Sequence, residues 1–287
     1  MSALTLRIIA CVCMLLDHIG YCFGGRYPFL APLRWIGRIA FPLYVFLIVN
    51  GFRHTSNRLR YALRLAIFAV ISQLPFVLML HTKDTLAAFD AILASGTARQ
   101  FLGAAAGLLR PLNVFVTLLL ALLTVWATDA MRKHRILKYL CFLPTLVVFA
   151  AYYYGLIRSD YGAKGILLAM TFYLFDRERF TTAGGKLLWV FLTAIGMLCS
   201  IYYSYLISFG FFCLHYIQGR PHAINPPTKW ELTQLFSLLA LVPIFLYNGK
   251  KGKLPASRGG AKAVQLGFYL FYPVHMLALF GIKQLLR

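Results

Sequence analysis

The chain has 287 residues, 60% of them hydrophobic and only 13% charged, whereas a soluble domain carries about 25% charged and about 45–50% apolar residues. That balance excludes a water-soluble globular protein and predicts an all-α, polytopic integral membrane helical bundle. The formal charge of +21, from 29 Lys and Arg against 8 acids, is read as loop charge that sets topology and meets anionic head groups of the lipid bilayer; no nucleic-acid motif accompanies it, and no nucleic-acid partner is expected.

Runs of roughly 17–25 mostly apolar residues recur along the chain, each long enough to cross a hydrocarbon core about 30 Å thick. Residues 4–23 form the first. Arg7 and the stretch Ile8 to Leu16 imitate a signal peptide, but no small-x-small cleavage site follows and Asp17-His18 breaks the run, so the segment is expected to remain as a span. Further spans are predicted at 33–52, 61–80, 112–130, 136–154, 162–176, 187–216, 232–248 and 264–286. The run 187–216 is long for one helix and reads as a span plus a kink or as two spans, so nine to ten transmembrane helices are expected. Residues 81–110 are expected to form a loop with a short interfacial or re-entrant helix, with Gly103-x-x-x-Gly107 serving helix packing. Gln218 to Glu231 reads as a Pro-rich loop. No soluble domain, linker or internal repeat is visible, so residues 1–287 are expected to form a single transmembrane domain. Cys11-x-Cys13 lacks metal-ligand spacing with any partner; the six cysteines are read as packing residues, and no metal is expected.

Basic residues concentrate in alternate loops. Residues 53–64, 131–138, 176–186 and 249–263 hold sixteen Lys and Arg, and with nine spans these four loops share one side. The positive-inside rule then puts the N-terminus in the cytoplasm.

Ionisable residues inside spans are costly and mark functional candidates. Asp17 is the one acid well inside a span, and its neighbour is His18. An adjacent carboxylate can tune an imidazole that acts as general base; the competing reading is a buried pair that glues helices together. Arg38 lies about as far after the first turn as Asp17 lies before it, so antiparallel neighbours bring the two to similar depth. A buried Arg needs an acid, and beyond pairing with Asp17 it could orient an oxyanion. Arg7 and His18 are eleven residues apart, on one helix face and about 16 Å apart along the axis. His275, near the middle of the last span, is a candidate to support the reacting groups from behind or to relay a proton, or else makes a helix–helix hydrogen bond. Asn50 and His54 mark the inner end of the second span, and Asp160-Tyr161-Gly162 lies on the outer side before the sixth.

The chain resembles the TraX family. The residues that carry the resemblance are Asp17-His18, Gly37-Arg38-Ile-Ala-Phe-Pro42, Gly51-Phe-Arg-His-Thr55 with Asn57, and Arg64-Leu-x-x-Phe-Ala leading to Ile71-Ser-Gln-Leu-Pro-Phe76. Asn113 to Thr117, Asp160-Tyr-Gly162 with Gly165, Tyr247-Asn-Gly249 and Phe271-Tyr-Pro-Val-His275 follow in the family's order. That family includes the protein that acetylates the N-terminus of conjugative pilin. It is similar in design to wider bacterial membrane acyltransferases, whose first span carries a basic residue, ten others, then His, as Arg7 to His18 do.

The resemblance implies a membrane acetyltransferase of the bacterial inner membrane that takes its acyl group from acetyl-CoA. Arg7, Asn50 and His54 would hold the acyl-CoA. His18, assisted by Asp17, would act as base or carry the acyl group, with Arg38 and His275 supporting it. Asp160 and Tyr161 would meet the acceptor, a pilin or a surface glycan. The rival expectation is a non-catalytic carrier or assembly factor whose Asp17, His18 and Arg38 form a proton relay or scaffold.

Overall fold

The computed structural model describes residues 1–80, 82–94, 96–100, 103, 111–217, 232–253, 255 and 257–286. Among these residues the secondary structure is helical, apart from one isolated bridge between Leu112 and Ser159. The helices are α1 Ala3–Phe23, α2 Leu33–Gly37, α3 Ala40–His54, α4 Arg58–Leu80, α5 Thr82–Leu93, α6 Val114–Lys133, α7 Leu143–Tyr153, α8 Gly162–Leu174, α9 Ala183–Ile201, α10 Tyr203–Ile217, α11 Leu241–Phe245 and α12 Arg258–Leu285.

Local sequence sets several of these boundaries. Ser2, Asn113, Thr182 and Ser257 each accept a hydrogen bond from a first-turn backbone N–H, and so start α1, α6, α9 and α12; the first turn of a helix leaves such donors free. The expected span 33–52 is broken between α2 and α3 at Arg38 and Ile39. Pro42 accounts for the break, because a proline ring clashes with the carbonyl four residues earlier, here that of Arg38. The long run 187–216 also divides, with α9 ending at Ile201 and α10 starting at Tyr203.

Among the described residues, six helical segments are long and apolar enough to cross a bilayer: Ala3–Phe23, Pro28–His54, Arg58–Leu80, Val114–Lys133, Ala183–Ile201 and Gly259–Leu285. The expected spans at 136–154, 162–176 and 232–248 are shorter helical pieces. Two of them begin with 3-10 turns, at Leu137–Leu140 and Gln234–Ala240. Of the Gly103-x-x-x-Gly107 pair, Gly107 lies outside the described residues, as does the expected loop from Gln218 to Glu231.

The surface is inverted relative to a water-soluble protein. On α4 the exposed residues Leu59, Leu63, Ile67, Val70 and Leu74 recur every three or four positions, which makes an apolar stripe down the outside of the helix. Ala62, Leu65, Phe68, Ala69 and Phe76 face the interior.

Contacts between loops define two ends. At one end Arg53 pairs with Asp176, Arg58 with Asp129, Arg177 donates to Phe245 O, and Ala3 N donates to Lys250 O. The basic loops after α3, α6, α8 and α11 therefore lie together. At the opposite end Tyr21 donates to Leu80 O, Arg26 to Leu286 O, and Leu112 N to Arg158 O. The interior is a closed ring, in which α1 packs on α12, α12 on α4, α4 on α6, α6 on α3, and α3 back on α1.

Candidate functional site

That ring encloses a cavity of about 560 Å³, within the range of small-molecule sites. Its walls come from α1, α2, α3, α4, α6 and α12 and from the loop before α8. The lining runs from Arg7 to Tyr21 along α1, a rise of about 21 Å. A volume of this size drawn out over that length is a narrow channel between the two ends of the bundle.

Arg7, Arg64, Lys251 and His54 surround the channel at the end of the basic loops. The Arg64 Nε is buried and has no hydrogen-bond partner among the described residues. Arg7 lies against the Phe268 ring, 6.0 Å from its centroid. His54 is exposed, its Nδ1 donates to Asn50 O, and its Nε2 lies 3.5 Å from the Glu178 carboxylate. Asn50 requires a correction. It does not line the channel, and its amide donates instead to Tyr247 OH at 3.1 Å. It lies one helical turn before His54, with its side chain turned toward the segment after α11.

Asp17, Arg34 and Arg38 meet toward the other end. Arg38 Nη2 donates to Asp17 Oδ1, Arg38 Nε donates to Arg34 O at 3.2 Å, and Arg34 Nε stands 3.7 Å from the same carboxylate. Arg38 is 5% exposed and Asp17 14%. Gly37 permits this approach. A Cβ there would lie 2.7 Å from Asp17 Cα, so any side chain would push α2 away from α1. Asp160 and Tyr161 also line the channel, rather than only facing outward, and the Tyr161 ring stacks on Phe41. Asp160 is exposed in the loop before α8, on the channel wall.

The expected partnership of Asp17 with His18 does not form. Successive helix residues project about 100° apart, and while Asp17 turns to Arg38, His18 turns to α12. His18 Nδ1 lies 2.7 Å from His275 Nε2, and His275 Nδ1 lies 2.6 Å from Phe271 O. The ring centroids are 5.0 Å apart and the planes differ by 9°. With the nitrogens this close, the rings meet edge to edge in nearly one plane, as a ring N–H···N bond requires.

The arrangement assigns both tautomers. A carbonyl oxygen only accepts, so His275 Nδ1 carries the hydrogen. In a neutral ring its Nε2 is then an acceptor, and His18 Nδ1 donates to it. His18 Nε2 is left as an unprotonated lone pair. His18 lines the channel and His275 stands behind it.

Sequence reasoning missed Arg34, Arg64 and the tyrosines Tyr44, Tyr61, Tyr269 and Tyr272, all of which line the channel. On α12 a signal was present. Gln265, Tyr269, Tyr272 and His275 recur at intervals of three or four in the otherwise apolar stretch between Lys262 and Lys283, which places polar groups on one face. Asn113 and Gln73, which helped carry the family resemblance, are structural. Asn113 Nδ2 donates to Ala69 O and Gln73 Oε1, and Gln73 Nε2 donates to Pro111 O.

The TraX family's sequence model, described as "TraX protein", matches residues 2–283. The chain belongs to the TraX family. This TraX-family chain is also 31% identical, over 290 residues, to the "Probable fimbrial assembly protein FimC, serogroup H1" of Dichelobacter nodosus, a match covering 100% of the chain and 97% of that protein. No solved structure matches it.

Proposed function

We propose that this chain is an integral membrane acetyltransferase of the bacterial inner membrane. It would move an acetyl group from acetyl-CoA to an amine or hydroxyl acceptor, such as a pilin N-terminus or a cell-surface glycan. The observation that carries this reading is His18, held by His275 through its Nδ1, on the wall of a channel that joins a basic end to an end holding Asp160 and Tyr161.

The residues at the basic end fit an acyl-CoA. Arg7, Arg64 and Lys251 supply positive charge for its phosphates, and the orphaned Arg64 Nε needs an acceptor. When bound, acetyl-CoA supplies the activated acyl group. The chain's own task is proton management: His18 Nε2 takes the acceptor's proton, and the His18 Nδ1–H held by His275 keeps the ring in the tautomer that can do so. Asp160 offers a carboxylate that suits an acceptor ammonium at the far end. The Asp17–Arg38 pair fixes α2 against α1 and so sets the channel's width beside His18.

For topology, the six long segments together with Leu137–Tyr153, α8 and Gln234–Phe245 give nine crossings; α10 is left uncounted, because a tenth crossing there would move Lys250 to the side opposite Ala3, its hydrogen-bond partner. The basic loops and the N-terminus are then cytoplasmic. In intact cells, an impermeant thiol reagent should leave Arg132→Cys unlabelled; labelling from outside contradicts this orientation.

A second reading is favoured by the name of the Dichelobacter protein, which speaks of fimbrial assembly, and by Asp17 pairing with Arg38 rather than His18. It is a non-catalytic pilus assembly factor or carrier in which these groups are scaffold. Purified chain incubated with acetyl-labelled acetyl-CoA and a peptide bearing a free N-terminal amine separates the two. An acetyltransferase transfers or hydrolyses the label, whereas an assembly factor leaves it on the thioester.

A further inference from the structure

A second cavity, of about 250 Å³, lies where α3, α6 and α8 end and α4 begins. It shares no lining residue with the channel. Five cations, Arg53, Arg58, Arg132, Lys133 and Arg179, face two carboxylates, Asp129 and Asp176.

Both carboxylates are already engaged. Asp129 accepts from Lys133 at 2.8 Å, Arg58 at 3.1 Å and Tyr173 OH at 3.2 Å. Asp176 pairs with Arg53 at 2.8 Å, and Arg179 stands 3.8 Å from it. Arg132 sits over the Tyr173 ring and meets no carboxylate among the described residues. Two guanidinium groups are held in place: Arg53 donates to Phe172 O and Tyr173 O, and Arg58 lies 4.2 Å over the buried Phe52 ring.

Helix ends account for only part of the excess charge. Three helix C-termini contribute about half a negative charge each, and the start of α4 about half a positive one. Set against five cations and two acids, they leave an excess of about two positive charges around a cavity. An anion with several oxygens and up to two charges matches that excess, and phosphate is the group that arginine forks recognise with such geometry. Basic pockets between membrane helices on this side are known to take anionic head groups.

We propose that this cavity is a phosphate-binding site, separate from the channel and independent of acetyl transfer. The phosphate is carried either by an anionic phospholipid head group or by a soluble phosphate compound.

The full chain, reconstituted in phosphatidylcholine nanodiscs with and without phosphatidylglycerol, tests the site by native mass spectrometry of retained lipid. A thermal-shift titration with inorganic phosphate at constant ionic strength tests the soluble source. The variant Arg132→Gln with Arg179→Gln removes the two guanidinium groups that hold no carboxylate closely. The pair Lys138→Gln with Lys186→Gln removes the same charge elsewhere on this end. We expect selective retention of phosphatidylglycerol or stabilisation by phosphate, weakened about tenfold or more by the arginine pair, as loss of charge-assisted hydrogen bonds requires. The lysine pair should weaken it by less than about twofold, as an unscreened contact is not lost. Lipid retention without a phosphate effect assigns the head group, and a phosphate effect without lipid selectivity assigns a soluble compound. If the arginine pair fails to fold, Arg179→Gln alone, at a 70% exposed side chain, carries the comparison. The proposal is overturned if neither probe binds, if the arginine variant binds as the parent does, or if the lysine pair weakens binding equally.

Discussion

Arg38→Ala is the most informative stability perturbation. The guanidinium is 5% exposed and its Nη2 holds Asp17, which is 14% exposed. Removing one partner of a buried ion pair costs about 3–5 kcal/mol, because the other charge is stranded. Arg34 moderates the loss. Its Nε lies 3.7 Å from the same carboxylate, a separation worth about 4 kcal/mol of gross attraction at an effective dielectric of 20, and Arg34 is partly solvated. The expected cost therefore falls at the low end, about 3 kcal/mol. At about 2–4 °C per kcal/mol, thermal unfolding in detergent followed by thiol reactivity should show a midpoint about 6–12 °C lower. Asp17→Asn with Arg38→Met replaces the charged pair with a neutral one of similar bulk and should recover most of the loss, because no buried charge is stranded. An Arg38→Ala variant that melts with the parent refutes the reasoning, as does a double variant whose loss equals the sum of its single changes.

Two further outcomes follow from the same geometry. Asn113→Ala should destabilise by about 2–4 kcal/mol in the same melting assay, since it removes an N-cap worth about 1 kcal/mol and the buried side-chain donor to Ala69 O, while Gln73 Oε1 keeps the backbone N–H of residue 113; a shift below about 2 °C contradicts the network. His275→Gln keeps a side-chain acceptor for the His18 Nδ1–H while His275→Phe does not, so turnover should fall further in the Phe variant, and equal losses mean that His275 does not set the tautomer.

The helical class and the membrane character were legible in block hydrophobicity alone, because a span needs only length and apolar composition. The Asp17–Arg38 pair was legible too, because a buried arginine has few acids to choose from and chain reversal fixes depth. The partner of His18 was not. Adjacency in sequence suggested Asp17, but adjacency on a helix separates side chains by about 100°, and the true neighbour comes from α12, 257 residues away. Asn50 was misplaced for a related reason, since position along a span gives depth but not the face on which a side chain lies. The broken second span was readable in principle from Pro42. The charge of the basic loops was read as topology, and their convergence around a second cavity needed the packing of α3, α4, α6 and α8.

The central claim is that His18 Nε2 is the base of an acetyl transfer, and His18→Gln tests it most directly. Glutamine keeps much of the volume and can still donate toward His275, but it offers no nitrogen that takes a proton near neutral pH. Binding of acetyl-CoA and turnover should be measured separately on the same folded protein. The account predicts unchanged melting, binding within about twofold of the parent because Arg7 lies about 16 Å away along α1, and turnover lower by about 10²–10⁴-fold. Parental turnover in folded His18→Gln protein would contradict it.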